Sequence, residues 1–84
     1  MKKIVAVTQV VEVEVDESKF TPQFMEGFKR FMYDFDSIDD HIKHIAQLEA
    51  RGLRRSFIEG YGPIENFGIN SHVVSAEEEI LGDG

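Results

Sequence analysis

The stretch Ser37–Gly52, SIDDHIKHIAQLEARG, reads as one complete helix, and the rest of the chain is arranged around it. Ser37 is placed as the N-cap, where its hydroxyl accepts from an otherwise unpaired backbone N–H of the first turn. Asp39 and Asp40 stand in that turn, where carboxylates favour the helix dipole. Arg51 lies in the last turn, and Gly52 is placed for a left-handed stop. At about 100° per residue, Ile38, Ile42, Ile45, Leu48 and Leu53 fall on one apolar stripe. Such a stripe is stable only when buried, so the helix demands a core. It implies no chemistry.

Working outward, a second helical pattern precedes this one. Thr21 is its cap, and Pro22 takes the first helical position, where a missing N–H costs nothing. Phe20 and Met25 are placed as a hydrophobic staple. Phe24, Phe28, Phe31 and Phe35 share a face, flanked by Met25 and Met32, and Asp34 to Asp36 form the turn into Ser37. So short a connection predicts an antiparallel or steeply crossed helix hairpin.

The flanks are strands. From Lys3 to Asp16, Val5, Val7, Val11, Val13 and Val15 alternate on one face, interrupted only by Gln9, while Glu12, Glu14 and Asp16 line the other. Ile4, Ala6 and Val10 add apolar groups to that second face, a pattern met by burial of both faces at one end or by a bulge near Gln9. Ser56 to Glu59 reads as a short strand. Gly60, Gly62, Pro63 and Gly68 punctuate a loop, and Ile69 to Glu77 closes the chain as a strand. Residues 78–84 read as a fraying tail.

The order strand–helix–helix–strand predicts a single α+β domain over residues 1–84. Its small antiparallel sheet, of two or three strands, is covered on one face by the helix hairpin. The expected core is Val5, Val7, Val11, Val13, Phe24, Phe28, Phe31, Ile42, Ile45 and Leu48. The open sheet edge, with Ile4, Ala6 and Val10 needing cover, predicts a homodimer.

Composition bounds the function. Eighty-four residues make one small domain, near the size at which a single core barely suffices. There is no cysteine, so neither disulfides nor thiolate metal sites contribute. Seven phenylalanines and 42% apolar residues describe a folded chain. With 16 acidic against 9 basic residues the net charge is −7, which argues against direct nucleic-acid binding and toward basic partners. Thr8, Gln9 and Glu12 break the apolar run of MKKIVAV too early for a signal peptide. No stretch approaches a membrane span, and a cytoplasmic location is expected.

Candidate sites are sparse. His41 and His44, with Asp40, lie at helical spacing for sharing a metal, but a zinc site needs three or four ligands and His72 is on a distant strand; neither metal nor cofactor is expected. Glu49 falls inside the apolar stripe and must be paired, with Arg54, Arg55 and the Tyr61 hydroxyl nearby in sequence. The glycine-rich EGYGPIENFG lacks the Gly-Lys-Ser/Thr ending of a phosphate loop; its glycines read as positive-φ turn residues. Tyr61 in that loop and Tyr33 on the first helix are expected to be exposed, where aromatics anchor partners. No nucleophile has a base beside it, so catalysis is not expected. The remaining feature is the acidic strand: Glu12, Glu14 and Asp16 at intervals of about 6.7 Å, continued by Glu17. It reads either as a solvated face or as a repeating negative surface that stands in for a nucleic-acid backbone. Glu12, Glu14, Asp16, Glu17 and Tyr61 are the candidate partner-binding residues.

The blocks DHIKHIAQLEARG (Asp40–Gly52) and FIEGYGPIENFGI (Phe57–Ile69), roughly a third of the chain, resemble small acidic proteins carried by bacteriophages and prophages. That group includes anti-CRISPR inhibitors, which commonly bind a Cas protein and block its nucleic-acid channel. The resemblance implies an inhibitor of a nucleic-acid-handling complex whose partner is a basic nucleic-acid-binding protein, such as a Cas effector subunit. Anti-CRISPRs share no common sequence pattern, so no functional residue is carried over. The rival expectations are a small phage structural or assembly module acting as a homo-oligomer, and a small metal-dependent enzyme using His41 and His44.

Overall fold

In the computed structural model, which describes Met1–Gly84, both helix caps form as the sequence dictates. Thr21 Oγ1 accepts from the Phe24 amide at 3.1 Å and opens α1, Pro22–Phe31. Ser37 Oγ accepts from the Asp40 amide at 3.4 Å and opens α2, Ile38–Ala50. Gly52 follows with φ of 69°. Ahead of the helices run β1, Lys3–Glu14, and a 3-10 turn, Glu17–Lys19. After them come β2, Phe57–Ile58, β3, Gly62–Pro63, a second 3-10 turn, Ile64–Phe67, and β4, Asn70–Asp83. β1 pairs with β4 and β2 with β3, both antiparallel. The protein is α+β: a small antiparallel sheet with a helix hairpin.

The β1–β4 ribbon is longer than the strand pattern predicts. Residues 78–84, expected to fray, are strand as far as Asp83, with Glu77, Glu78 and Glu79 opposite Thr8, Val7 and Ala6. The Lys3 ammonium forms an ion pair with the Asp83 carboxylate at the far end. Val10 faces Ser75 whereas Val11 faces Val73, so Val74 is an extra residue; Leu81 is another. The irregularity expected near Gln9 therefore exists one residue on, with the surplus carried by β4.

α2 lies against the ribbon near Val11–Val15 and the start of β4, while α1 reaches the core through its aromatic side chains. Phe28, Ile45, Ile58, Tyr61 and Ile69 are buried together, with Val11, Val13, Phe24, Ile42 and Leu48 half-buried. Three residues expected in the core are not there: Val5 is 47%, Val7 62% and Phe31 77% exposed. The valines lie on the part of the ribbon that projects beyond α2, which gives the molecule its 51 × 23 × 18 Å extents. Phe31 stands at the margin of a buried face centred on Phe28 and Met32. Leu53, placed on the α2 stripe, falls beyond the helix end and is exposed.

Two glycines set how tightly the loop closes. At Gly60, φ is 92° and an added Cβ would lie 2.6 Å from Phe28 Cε2. At Gly68, φ is 61° and a Cβ would lie 2.9 Å from Asp16 Cβ. Both therefore combine a left-handed backbone with close approach. No helix is long and apolar enough to cross a membrane.

Phe28 is 4% exposed, and its truncation to alanine leaves a cavity that the surrounding rings cannot close. Phe28→Ala is expected to lower unfolding stability by about 3–5 kcal/mol, measured by denaturant melts; a loss under about 1 kcal/mol would contradict this core.

Candidate functional site

The acidic strand gains a second wall in three dimensions. Glu12 and Glu14 are exposed on β1, Glu17 on the following 3-10 turn, and Asp39 in the first turn of α2. Together with Val13, Val15, Ile38 and Ile42 they line an open groove of about 540 Å³ between β1 and α2. None of the four carboxylates is paired with a lysine or arginine; Glu12 has only the imidazole of His72, at 3.8 Å on the neighbouring strand. Asp39 was legible as a carboxylate favouring the helix dipole, but its place opposite the strand required the fold.

Asp16 has a different task. Its carboxylate accepts from the Ser18 hydroxyl at 2.6 Å and the Ser18 amide at 3.1 Å, capping the 3-10 turn. Those two bonds, the hydroxyl first, hold its pKa below the ordinary aspartate value. It is exposed but does not line the groove. The other acidic run, Glu77–Glu79, lies on the outer ribbon and forms a separate patch.

Tyr61, expected exposed, is 4% exposed. The positive φ angles of Gly60 and Gly62 turn the loop inward, and the phenol packs against Phe28, with ring centroids 5.0 Å apart. Its hydroxyl is hydrogen-bonded to His41 Nδ1 at 2.7 Å. It can therefore anchor no partner. Tyr33, also expected exposed, is half exposed; with Leu53, Phe57 and His44 it lines a smaller groove of about 230 Å³.

His41 is fully buried among Phe20, Phe24, Phe28 and Phe35, at centroid distances of 5.3, 5.7, 4.6 and 5.0 Å. Its Nδ1 is engaged by Tyr61 and its Nε2 has no partner. No group of three or more histidines and carboxylates comes together to hold a metal. His44 is half-buried beside Tyr33, and His72 is on the ribbon. Glu49 finds the pairing its position demands. It accepts from Ser71 Oγ at 2.9 Å and lies 3.4 Å from Arg54 Nη2. Arg54 also donates to Ser71 Oγ and to the Ser71 carbonyl, at 3.0 and 3.2 Å. This cluster fastens the end of α2 to the start of β4.

Comparison with known families, curated proteins and solved structures finds no match to this chain.

Two outcomes follow from the buried polar groups. Arg54→Ala strips Glu49 of its cation and is expected to cost about 1.5–3 kcal/mol in denaturant melts, with little recovery in Arg54→Lys because an ammonium cannot serve both partners in the same plane. Burial, with the His44 charge second, holds the His41 pKa below its usual value, and burial does the same for His44. The unfolded chain therefore binds more protons below the unfolded histidine value of about 6.5. Stability present above that pH is lost as pH falls, by up to about 1.4 kcal/mol per pH unit for each group. Thermal melts between pH 7 and 5 should show the decline, and His41→Gln should flatten it, leaving the His44 share.

Proposed function

We propose that this protein is a small acidic inhibitor that seats itself on a basic, nucleic-acid-handling surface of another protein and keeps nucleic acid out. The observation that carries this reading is the groove: Glu12, Glu14, Glu17 and Asp39 surround one concavity without a lysine or arginine among them. A surface evolved to hold phosphates offers clustered lysine and arginine, and this groove presents the opposite sign on a rigid frame. β1 carries two of the carboxylates and α2 a third, so little ordering remains to be lost on binding. Charges held this way speed association with a partner of opposite sign. The resemblance to phage-borne anti-CRISPR proteins makes a Cas effector subunit, in the cytoplasm of an infected bacterial host, the first candidate. The protein acts by binding and not by catalysis.

The second reading, a phage structural or assembly module working as a homo-oligomer, draws its support from the outer ribbon, where Ile4, Val5, Val7, Val10, Ile80 and Leu81 are exposed.

The test compares the parent with the triple variant Glu12→Lys, Glu14→Lys, Glu17→Lys, three exposed positions. Immobilised parent is expected to retain a basic nucleic-acid-binding protein from bacterial lysate and to release it as salt rises, because exposed charges are screened within about 10 Å at 0.1 M. The free parent should displace a labelled duplex from that retained protein and the triple variant should not, with unchanged circular dichroism as the folding control. Equal displacement by both would reduce the carboxylates to a solvated face.

A further inference from the structure

The outer half of the ribbon is an unfinished sheet. A two-stranded ribbon without a covering helix is at best marginally stable in water, yet β1 and β4 continue paired as far as Lys3 and Asp83. Each strand offers one free edge, and the two edges differ in charge. The outer part of β4 carries Glu77, Glu78 and Glu79 in succession, so a second copy pairing there would bring like charges together. β1 carries no charged residue from Ile4 to Val11, and it has neither proline nor glycine there to block pairing.

We propose that β1 pairs edge to edge with β1 of a second copy, antiparallel about a two-fold axis at Val7, to give a four-stranded sheet ordered β4–β1–β1–β4. The register follows from side-chain chemistry. In an antiparallel pair related by such an axis, residues that face each other lie on the same side of the sheet. Centring on Val7 sets Lys2 opposite Glu12 of the partner subunit and Ile4 opposite Val10 of the partner subunit. Centring one residue later sets Ile4 against a carboxylate. Centring one residue earlier leaves Lys2 facing Val10. Of these three registers only the axis at Val7 sets Lys2 against a carboxylate and Ile4 against an apolar residue; Lys3, which then faces Val11, keeps its ion pair with Asp83 of its own β4. The groove beside Glu12 is open space and not packed side chain, so the amino-terminal end of the incoming strand has room to enter. Glu14, Glu17 and Asp39 lie beyond it, so of the four carboxylates of the inhibitor reading the dimer engages Glu12 alone.

The chain contains no cysteine, which makes a single introduced thiol diagnostic. Val7→Cys should cross-link to its own copy under mild oxidation, since residue 7 meets itself at the axis, whereas Ala76→Cys on β4 should not. By sedimentation equilibrium the parent is expected to be a dimer. Val7→Glu, which sets two carboxylates face to face at an exposed position, should weaken it by at least about tenfold, the factor for 1.4 kcal/mol, while leaving the far-ultraviolet spectrum unchanged. A monomeric parent at high concentration, a dimer indifferent to Val7→Glu, or cross-linking through residue 76 and not residue 7 would each overturn the proposal.

Discussion

The governing constraint is a mismatch of lengths. α2 has 13 residues and rises about 20 Å, whereas β1 has 12 residues and runs about 40 Å. One helix cannot cover the strand on which it lies. The inner valines, Val11, Val13 and Val15, gain shelter, while Val5 and Val7, on the same face, do not. The same mismatch leaves the β1 edge bare and opens the groove where the helix start departs from the strand.

What the helix does cover is held by an aromatic cluster drawn from separate parts of the chain. Phe20 precedes α1, Phe24 and Phe28 lie on it, Phe35 is in the turn, and Tyr61 and Phe67 come from the loop. His41 stands at the centre as the polar member, and its bond to Tyr61 stitches α2 to a loop twenty residues further on. Large rings, some edge-on and others tilted or stacked, fill space that so short a chain could not fill with aliphatic residues alone. The imidazole is tolerated there because it is neutral and one nitrogen is satisfied.

Much of this was legible from local signals. Ser37 and Thr21 as caps, Gly52 as a stop, and the loop glycines as left-handed turns all depend on neighbours a few residues away, and each is where the sequence placed it. The pairing of first strand with last also followed from element order. The alternation in β1 was equally clear, but a period of two says which side chains share a face and not whether anything lies above it. Hence Val5 and Val7 were misplaced. The tail failed for a related reason: three successive glutamates suggest solvent and fraying, yet strand pairing uses backbone groups and tolerates carboxylates pointing into water. His41 lies between Ile45 and Leu48 on the helical wheel, so its burial could have been seen; its partner could not, because a tyrosine in a glycine-rich loop reads as exposed until the loop is folded. Of the candidate surface, Glu12, Glu14 and Glu17 were visible in order, Asp39 only across the groove, and Asp16 proved to be occupied by its own turn.

The register of the ribbon also orders events in time. The helix hairpin joins residues close in sequence and the loop contacts, such as Phe28 with Tyr61, span intermediate separations, whereas Lys3 must find Asp83 across nearly the whole chain. Closing a loop costs entropy that grows with its length, and non-local pairing is what slows folding. The helices and the loop can gather first and bring Glu14 beside Asn70. From there each further pair closes only a small additional loop, so the ribbon zips outward from the groove. Unzipping runs the other way, which makes the outer strands of the single chain the part most often open and the packed helices and loop the part that outlasts them.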